Sequence, residues 1–533
     1  MSKIDDKLLV PLCLGIILCT PILLFCQWGI INDYQIIENV VNNSFIKYQL
    51  ELLHVGRFSI LCGVIATLLG KIWLNPYILY TYNFIIAVLG LVYTLKILGY
   101  FTKVKILHFI VPLLFLTPTF IDGFYSTLQI ERHLFLIIPL LLWWFIQYKE
   151  GSSNKLILIL SVSVIFILYK EINFILLGSF ALSLLGFSLF RKQKLTPQYT
   201  KLLLSTLGLC LLFLASYFII SSLYKTSNYN DLLINDTSIL GRLQASFTSI
   251  IYFVFSNPII TIGIPVVGLY RWKNSSALSK TYSSFRLILL DSMLISSFSI
   301  VVAYVLMGLN AHRYLLPSMN IGLFPLLIYG YHFIADSKKS YAVKGVIIIA
   351  FFNTALVGIS HGLTLKQQPI EYWETIEKLI NYGNKQTDKQ VTLYLVGTDR
   401  GADVEIYGSI SRYLTLNDLG TNHFDFKSMD TIKNKYGFNA YKSLLDQYSA
   451  YKREAIGIPD SGDLIIEIPF RDSNLDQKRE EIEALRNLQL IYESNVAIPY
   501  TFNLSLFSVF QFLKGKHIQF ISKNKPWRIY KVQ

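Results

Sequence analysis

The sequence predicts a polytopic α-helical membrane protein with an extramembrane α/β domain at its C-terminal end. Three observations predict this class. Of 533 residues 53% are hydrophobic and only 15% charged, and the mean hydropathy is +0.46, well above that of a water-soluble globule. Apolar segments long enough to cross a bilayer follow one another as far as Leu363. The charge is also divided unevenly, with 26 Lys/Arg against 13 Asp/Glu up to Leu363 and 22 against 21 from Thr364 onward. Basic loops between apolar segments suit an anionic cytoplasmic leaflet, so membrane lipid is the expected surrounding. No nucleic acid is expected as a partner, because no basic stretch carries interleaved aromatics.

Eleven segments read as spans: 8–31, 77–98, 106–121, 133–148, 155–169, 172–190, 202–224, 247–270, 287–308, 314–334 and 342–363. The first ends in Ile31-Asn32-Asp33 without a small-residue cleavage site and reads as an uncleaved anchor. The loop 32–76 contains an apolar stretch, Phe58 to Trp73, interrupted by Gly63 and Gly70. It is too short for a standard span and reads as an interfacial or re-entrant helix.

With the N-terminus in the cytoplasm and 58–73 kept outside, the inner loops and helix ends collect 18 Lys/Arg and the outer ones 8. This is the asymmetry that the positive-inside rule requires. An odd number of spans then carries residues 364–533 across the membrane.

After Leu363 the pattern shifts. Tyr372–Tyr382, Ala402–Leu414 and Leu475–Leu488 read as helices, and Val391–Val396 and Leu464–Ile468 as strands, giving an α/β domain over 364–533. Leu504–Leu513 is an apolar decapeptide too short to span, expected in the core of that domain rather than on the bilayer surface. All five cysteines lie in apolar stretches, which leaves the C-terminal domain without a disulfide framework or a Cys-x-x-Cys metal site.

Charge near a membrane core is expensive, so the placement of the acids narrows the search for chemistry. Eight of them fall on the outer side: Asp33, Glu38, Glu51, Asp122, Glu131, Glu171, Asp231 and Asp236. Asp33 directly follows the first span, where a carboxylate could take a proton from a bound hydroxyl or could simply end the span. Glu131-Arg132-His133 opens the fourth span. Glu131 there is either a second catalytic carboxylate or a first-turn acid paired with Arg132.

Lys170-Glu171 separates two apolar runs with almost no loop, as a phosphate contact or a mutually neutralised pair. In His312-Arg313-Tyr314-Leu315-Leu316-Pro317 an arginine stands at the mouth of the tenth span, with Pro317 in its first turn. A guanidinium there suits a pair of phosphate oxygens. Zinc-protease, P-loop and dinucleotide patterns are absent from the sequence.

The order of these features resembles the GT-C superfamily of integral membrane glycosyltransferases, including the protein O-mannosyltransferase, aminoarabinose transferase and O-antigen glucosyltransferase types. The elements are Asp33 after the first span, the apolar helix behind Gly56-Arg57, Glu131, Lys170-Glu171 and Arg313-Tyr314-Leu315-Leu316-Pro317. The resemblance covers most of residues 1–363. It implies a donor in which a sugar is carried on a polyprenyl phosphate, and a glycan, lipid or protein acceptor outside a bacterial cytoplasmic membrane. It further implies that Asp33 is the base or a carboxylate beside a divalent cation and that Lys170 and Arg313 hold the carrier phosphate. Glu131 and Glu38 are the rivals of Asp33, and Arg57, Glu171 and Tyr314 are further candidates for the phosphate site. Tyr34 replaces the acidic neighbour common in the O-mannosyltransferase type, and no D-x-D or W-W-D-x-G motif occurs, which leaves acceptor class and metal dependence open. The other readings are an O-antigen polymerase or ligase, and a polysaccharide or lipid transporter; the latter would be expected to show paired repeats, and none is found.

Overall fold

A computed structural model describes residues 6–30, 33–54, 58–127, 129–151, 155–224, 238–309, 311–336, 340–385, 390–396, 402–419, 423–428, 459–469, 480, 483, 487–502, 506–515 and 520–533. The chain is a multi-pass helical membrane protein. Among the described residues seven helices are long and apolar enough to cross a membrane, and an eighth crossing is formed if the bent pair Lys105–Leu116 and Pro118–Phe124 is one span. The bend of 57° follows from Thr117-Pro118. The Thr117 hydroxyl accepts from the Phe120 N–H at 3.3 Å, capping a new helix whose first-turn proline needs no donor.

Three more of the expected segments are helical but short or polar at one end. Asp6–Cys19 passes into a 3-10 turn at Thr20–Leu23, Leu156–Tyr169 has 14 residues, and Glu131–Lys149 opens on its charged triplet. The first helix therefore stops well before Ile31. The segment expected as one span over 247–270 is divided: Ile239–Ser256 ends at Asn257, and Pro258–Thr261 and Gly263–Lys273 follow as separate helices. Asn257-Pro258 supplies the break, because proline cannot donate to the turn before it and disfavours helix at the residue preceding it.

The helices pack as a bundle in which Asn173–Phe190 lies along Ser284–Leu306 and the latter along Leu316–Asp336, while Pro76–Phe101 lies along Glu131–Lys149. At this last crossing a Cβ on Gly90 would stand 2.6 Å from the Phe135 carbonyl oxygen, so only glycine permits the approach. Likewise a Cβ on Gly358 would collide with the Leu116 carbonyl oxygen, where the last long helix crosses the bend.

The loop after the first helix folds into three short helices, Tyr34–Val41, Phe45–His54 and Val64–Ile72. The last is the expected apolar helix, shortened at its start by a turn that needs the positive φ of Gly63 (76°). Leu68, Ile72 and Trp73 remain exposed on it.

Ser340–Gly383 is one helix of 44 residues, so the boundary expected at Thr364 falls inside a continuous element. Nothing in Thr364–Gly383 breaks a helix except Pro369, which is accommodated. The helix carries its far end into a five-stranded mixed sheet ordered β2-β1-β3-β7-β4, with β1 Val391–Val396, β2 Phe424–Ser428, β3 Leu464–Glu467, β4 Leu488–Glu493 and β7 Arg528–Val532. β1 is parallel to β2 and β3; β7 is antiparallel to β3 and β4.

Alternation decides the two faces of the sheet. Leu393, Leu395, Leu464, Ile466 and Ile529 pack on Tyr372, Ile376 and Leu379 of the long helix and on Ile406 and Ile410 of Ala402–Leu416, while Tyr394, Ile465 and Tyr530 form the core of the other face. Of the expected helix Leu475–Leu488, most lies outside the described residues and Leu488 opens β4. The apolar decapeptide is not wholly core: Leu506–Leu513 is a helix beside a hairpin of β5 Tyr500–Phe502 and β6 Ile521–Lys523, and of its described side chains Val509, Phe512 and Leu513 are exposed.

Candidate functional site

Charged side chains converge where several helices end on one side of the bundle. Lys170 sits in the break between Leu156–Tyr169 and Asn173–Phe190, and its ammonium pairs with the Glu131 carboxylate at the first turn of Glu131–Lys149. Glu131 is 3% exposed and Lys170 14%. An ion pair so sheltered keeps its charge only by mutual compensation. Burial works against the Lys170 cation, but Glu131 and the Tyr304 and Tyr314 phenols outweigh it and hold its pKa above the usual lysine range.

Tyr314 joins two cations, since the Lys170 Nζ lies 4.7 Å and the Arg313 Cζ 5.2 Å from its ring centroid. It stacks on Tyr304 at 4.8 Å. Arg313, on the 3-10 turn His312–Leu315, is fixed by Asp122 beyond the bend: the Asp122 Oδ2 accepts from the Arg313 backbone N–H at 2.9 Å and lies 3.5 Å from its Nη1. The other Asp122 oxygen faces the His361 Nε2 at 3.2 Å on the long helix. His361 in turn meets the His312 ring edge to face at 4.9 Å.

Asp33 is buried and does more than end a span. Its carboxylate accepts from the Gly29 N–H, folding the chain back after the first helix, and its electrostatic neighbour is Arg132. Burial pushes the Asp33 carboxyl up to about 7, against the pull of the Gly29 N–H and of the Arg132 charge. Arg132 is 2% exposed and donates to the Ser126 and Thr127 carbonyls instead of pairing with Glu131. Its Nε has no hydrogen-bond partner among the described residues. A buried guanidinium with an unused donor stands ready for an anionic oxygen.

The structure thus brings Glu131, Lys170, Arg313 and Tyr314 into one cluster, with Asp33 beside the neighbouring Arg132. Glu171 points elsewhere: its carboxylate accepts from the Ser59 hydroxyl, and the Leu61 N–H donates to the Leu168 carbonyl at 3.2 Å, so the loop 58–62 docks on the break that holds Lys170. Lys170 and Glu171 are therefore not a mutual pair. Arg57 lies outside the described residues. Glu38, the other carboxylate of the first loop, is held by Arg412 of the C-terminal part at 2.6 Å.

Four residues of this region carry no motif that marks them as functional in the sequence. Asp122 reads in the sequence only as an outer charge and Arg132 only as an outer charge or the partner of Glu131, while His361 lies inside the last apolar segment and Lys366 just beyond it. Lys366 donates to the Ile22 carbonyl at 2.9 Å, capping the end of the first helix, with its Nζ 4.0 Å from the Tyr80 ring centroid. The usable signal was burial cost, because a lone Asp or Lys abutting an apolar run must find a partner.

Among the described residues no three His, Cys, Asp or Glu side chains converge as metal donors. Asp33 has no second described carboxylate beside it, so the residues at hand do not form a divalent-cation site there, and no chemical step is routed through one. Compared with known proteins, the chain matches no family and no curated sequence.

Proposed function

We propose that the protein is an integral membrane glycosyltransferase of the GT-C kind, taking a sugar from a polyprenyl-phosphate carrier to a glycan, lipid or protein acceptor on the outer side of a bacterial cytoplasmic membrane. The observation that carries the reading is the set of sheltered cations at helix ends, Lys170 and Arg313 around Tyr314 and Arg132 beside one carboxylate of raised pKa. The topology that goes with it has eleven crossings, the N-terminus inside and residues 364–533 outside, with the divided segment 239–273 counted as one crossing.

The chemistry asks for little else. The acceptor hydroxyl attacks the anomeric carbon, the bond to the phosphate oxygen breaks, and the carrier phosphate leaves with the electron pair. That leaving group needs positive charge more than a proton. Arg313 and Lys170 supply it, and Glu131 holds Lys170 in place instead of acting as base. Asp33 takes the hydroxyl proton; a carboxyl titrating near 7 suits a base working at neutral pH. Attack from the face opposite the phosphate inverts the anomeric centre, and a second carboxylate acting as nucleophile is not required.

Purified protein in lipid nanodiscs, offered a panel of polyprenyl-phosphate sugars, should release the free carrier phosphate from one of them when the acceptor is present. Failure of every donor to turn over or to bind would overturn the reading.

A further inference from the structure

The helix Leu506–Leu513 turns an apolar face of its described side chains outward. Val509, Phe512 and Leu513 stand at i, i+3 and i+4, hence on one face, and are 40%, 53% and 76% exposed, whereas Ser508 is buried. Phe512 extends the face to Phe520, whose ring lies 5.4 Å away. In the adjoining hairpin Tyr500 and Ile521 are also exposed. A contiguous apolar surface of this kind marks an interaction site.

Two observations say what covers it. The first is height. β5 packs on the long helix Ser340–Gly383, and the Ile498 N–H donates to the Gln367 side chain at 2.6 Å. The exposed apolar residues of that helix, Val346 through Ile359, end eight positions before Gln367, about 12 Å of helix rise. The hairpin and its helix therefore sit beside the point where the last span leaves the hydrocarbon and enters the headgroup layer. The second is charge. Although residues 364–533 are nearly neutral as a whole, Ser494–Gln533 contains six Lys/Arg and no Asp or Glu, and Lys514, Lys523 and Lys525 are exposed around the apolar face. Basic residues ringing an apolar helix face are the complement of an anionic lipid surface.

We propose that this element, the β5–β6 hairpin with Leu506–Leu513, is a membrane-docking foot that sets Val509, Phe512 and Leu513 into the acyl boundary of the leaflet from which the long helix emerges. The foot clamps the sheet to the bilayer surface whatever reaction the protein performs. It bonds directly to the helix that carries His361 and Lys366, and so ties the height of those residues to the membrane plane.

The test uses the full chain in nanodiscs containing phosphatidylglycerol, with Cys13→Ser to remove the one exposed thiol. Val509→Cys, Leu513→Cys and, as a reference on β4, Gln489→Cys are each labelled with a nitroxide. All three positions are exposed, so the label does not threaten folding. Collision with oxygen should exceed collision with a water-soluble nickel complex severalfold at 509 and 513, and the order should reverse at 489. Nickel dominance at 513 equal to that at 489 would overturn the proposal, as the face would then be open to water. Low collision with both reagents at 513 would overturn it too, because another protein surface, such as a second copy of the chain, would then cover the face.

Discussion

Lys170 and Glu131 form a buried ion pair between residues 39 positions apart, and the pair joins the break between two helices to the first turn of a third. Neither charge is tolerable alone at that depth, which makes the pair both a structural tie and a way of presenting a cation.

Removing one partner should therefore cost more than removing both. Glu131→Gln is expected to destabilise the protein by about 3–5 kcal/mol, and Glu131→Gln with Lys170→Met to recover most of the loss. Thermal unfolding in detergent reads the difference. The double variant should also fail to bind a polyprenyl-phosphate analogue, which separates the structural role from phosphate binding; retained binding would remove Lys170 from the proposed site.

Arg313→Lys keeps the charge but loses the planar fork, and is expected to weaken binding of the same analogue at least tenfold. Its backbone N–H bond to Asp122 is untouched by the substitution, so the fold should hold. Wild-type affinity in both Arg313→Ala and Lys170→Ala would defeat the phosphate assignment.

For Asp33→Asn the expectation is a folded, donor-binding protein whose transfer rate falls on the order of a hundred- to ten-thousand-fold. In the wild type, kcat/KM should rise with pH through about 7 and level off above it, because the base must be ionised. Stability runs the other way. A carboxyl whose pKa rises from 3.8 unfolded to about 7 folded favours the fold in its protonated form, so its contribution is full below about 4 and is lost as the pH rises through about 7. Asp33→Asn should abolish that decline. If Asp33→Asn keeps near wild-type turnover while Glu131→Gln abolishes it, the base is Glu131.

Gly358→Ala places a methyl group against the Leu116 carbonyl, where the two backbones cannot both stay, and should cost about 1–3 kcal/mol. Gly345→Ala in the same helix meets nothing within 4 Å and should be neutral or slightly stabilising. Equal unfolding temperatures for the two variants would contradict the close crossing at the bend.

Orientation is testable separately. A reporter active only in the cytoplasm, fused after Gln533, should be silent; activity would place residues 364–533 inside and remove the outer-facing site with them.

Elements whose cause is local are legible from the chain alone. Long apolar runs must become helices in a membrane, since lipid offers backbone groups no other partner; for that reason Tyr77–Leu98 falls inside an observed helix, and all but the last two residues of Leu287–Gly308 fall inside another. Strands β1 and β3 were legible because their apolar runs are short and bounded by polar residues. Periodicity could not show that the run 247–270 is divided at Asn257, where apolar composition masks a backbone break. Nor could it show that Val509, Phe512 and Leu513 are turned outward, because which side of a short apolar helix is covered depends on what packs against it.

The partners of the charged residues follow from helix packing. Lys170 stands next to Glu171 in sequence, as Glu131 does to Arg132, yet Lys170 pairs with Glu131, Glu171 with Ser59, and Arg132 with carbonyls of its own loop. Adjacent residues at a helix start or break point in different directions, so the crossing of distant helices selects which charges meet. The same holds for Asp122, Arg313 and His361, which come from three elements up to 239 positions apart. The cost of burying each charge was readable in the sequence; the neighbour that compensates it is a property of the packed bundle.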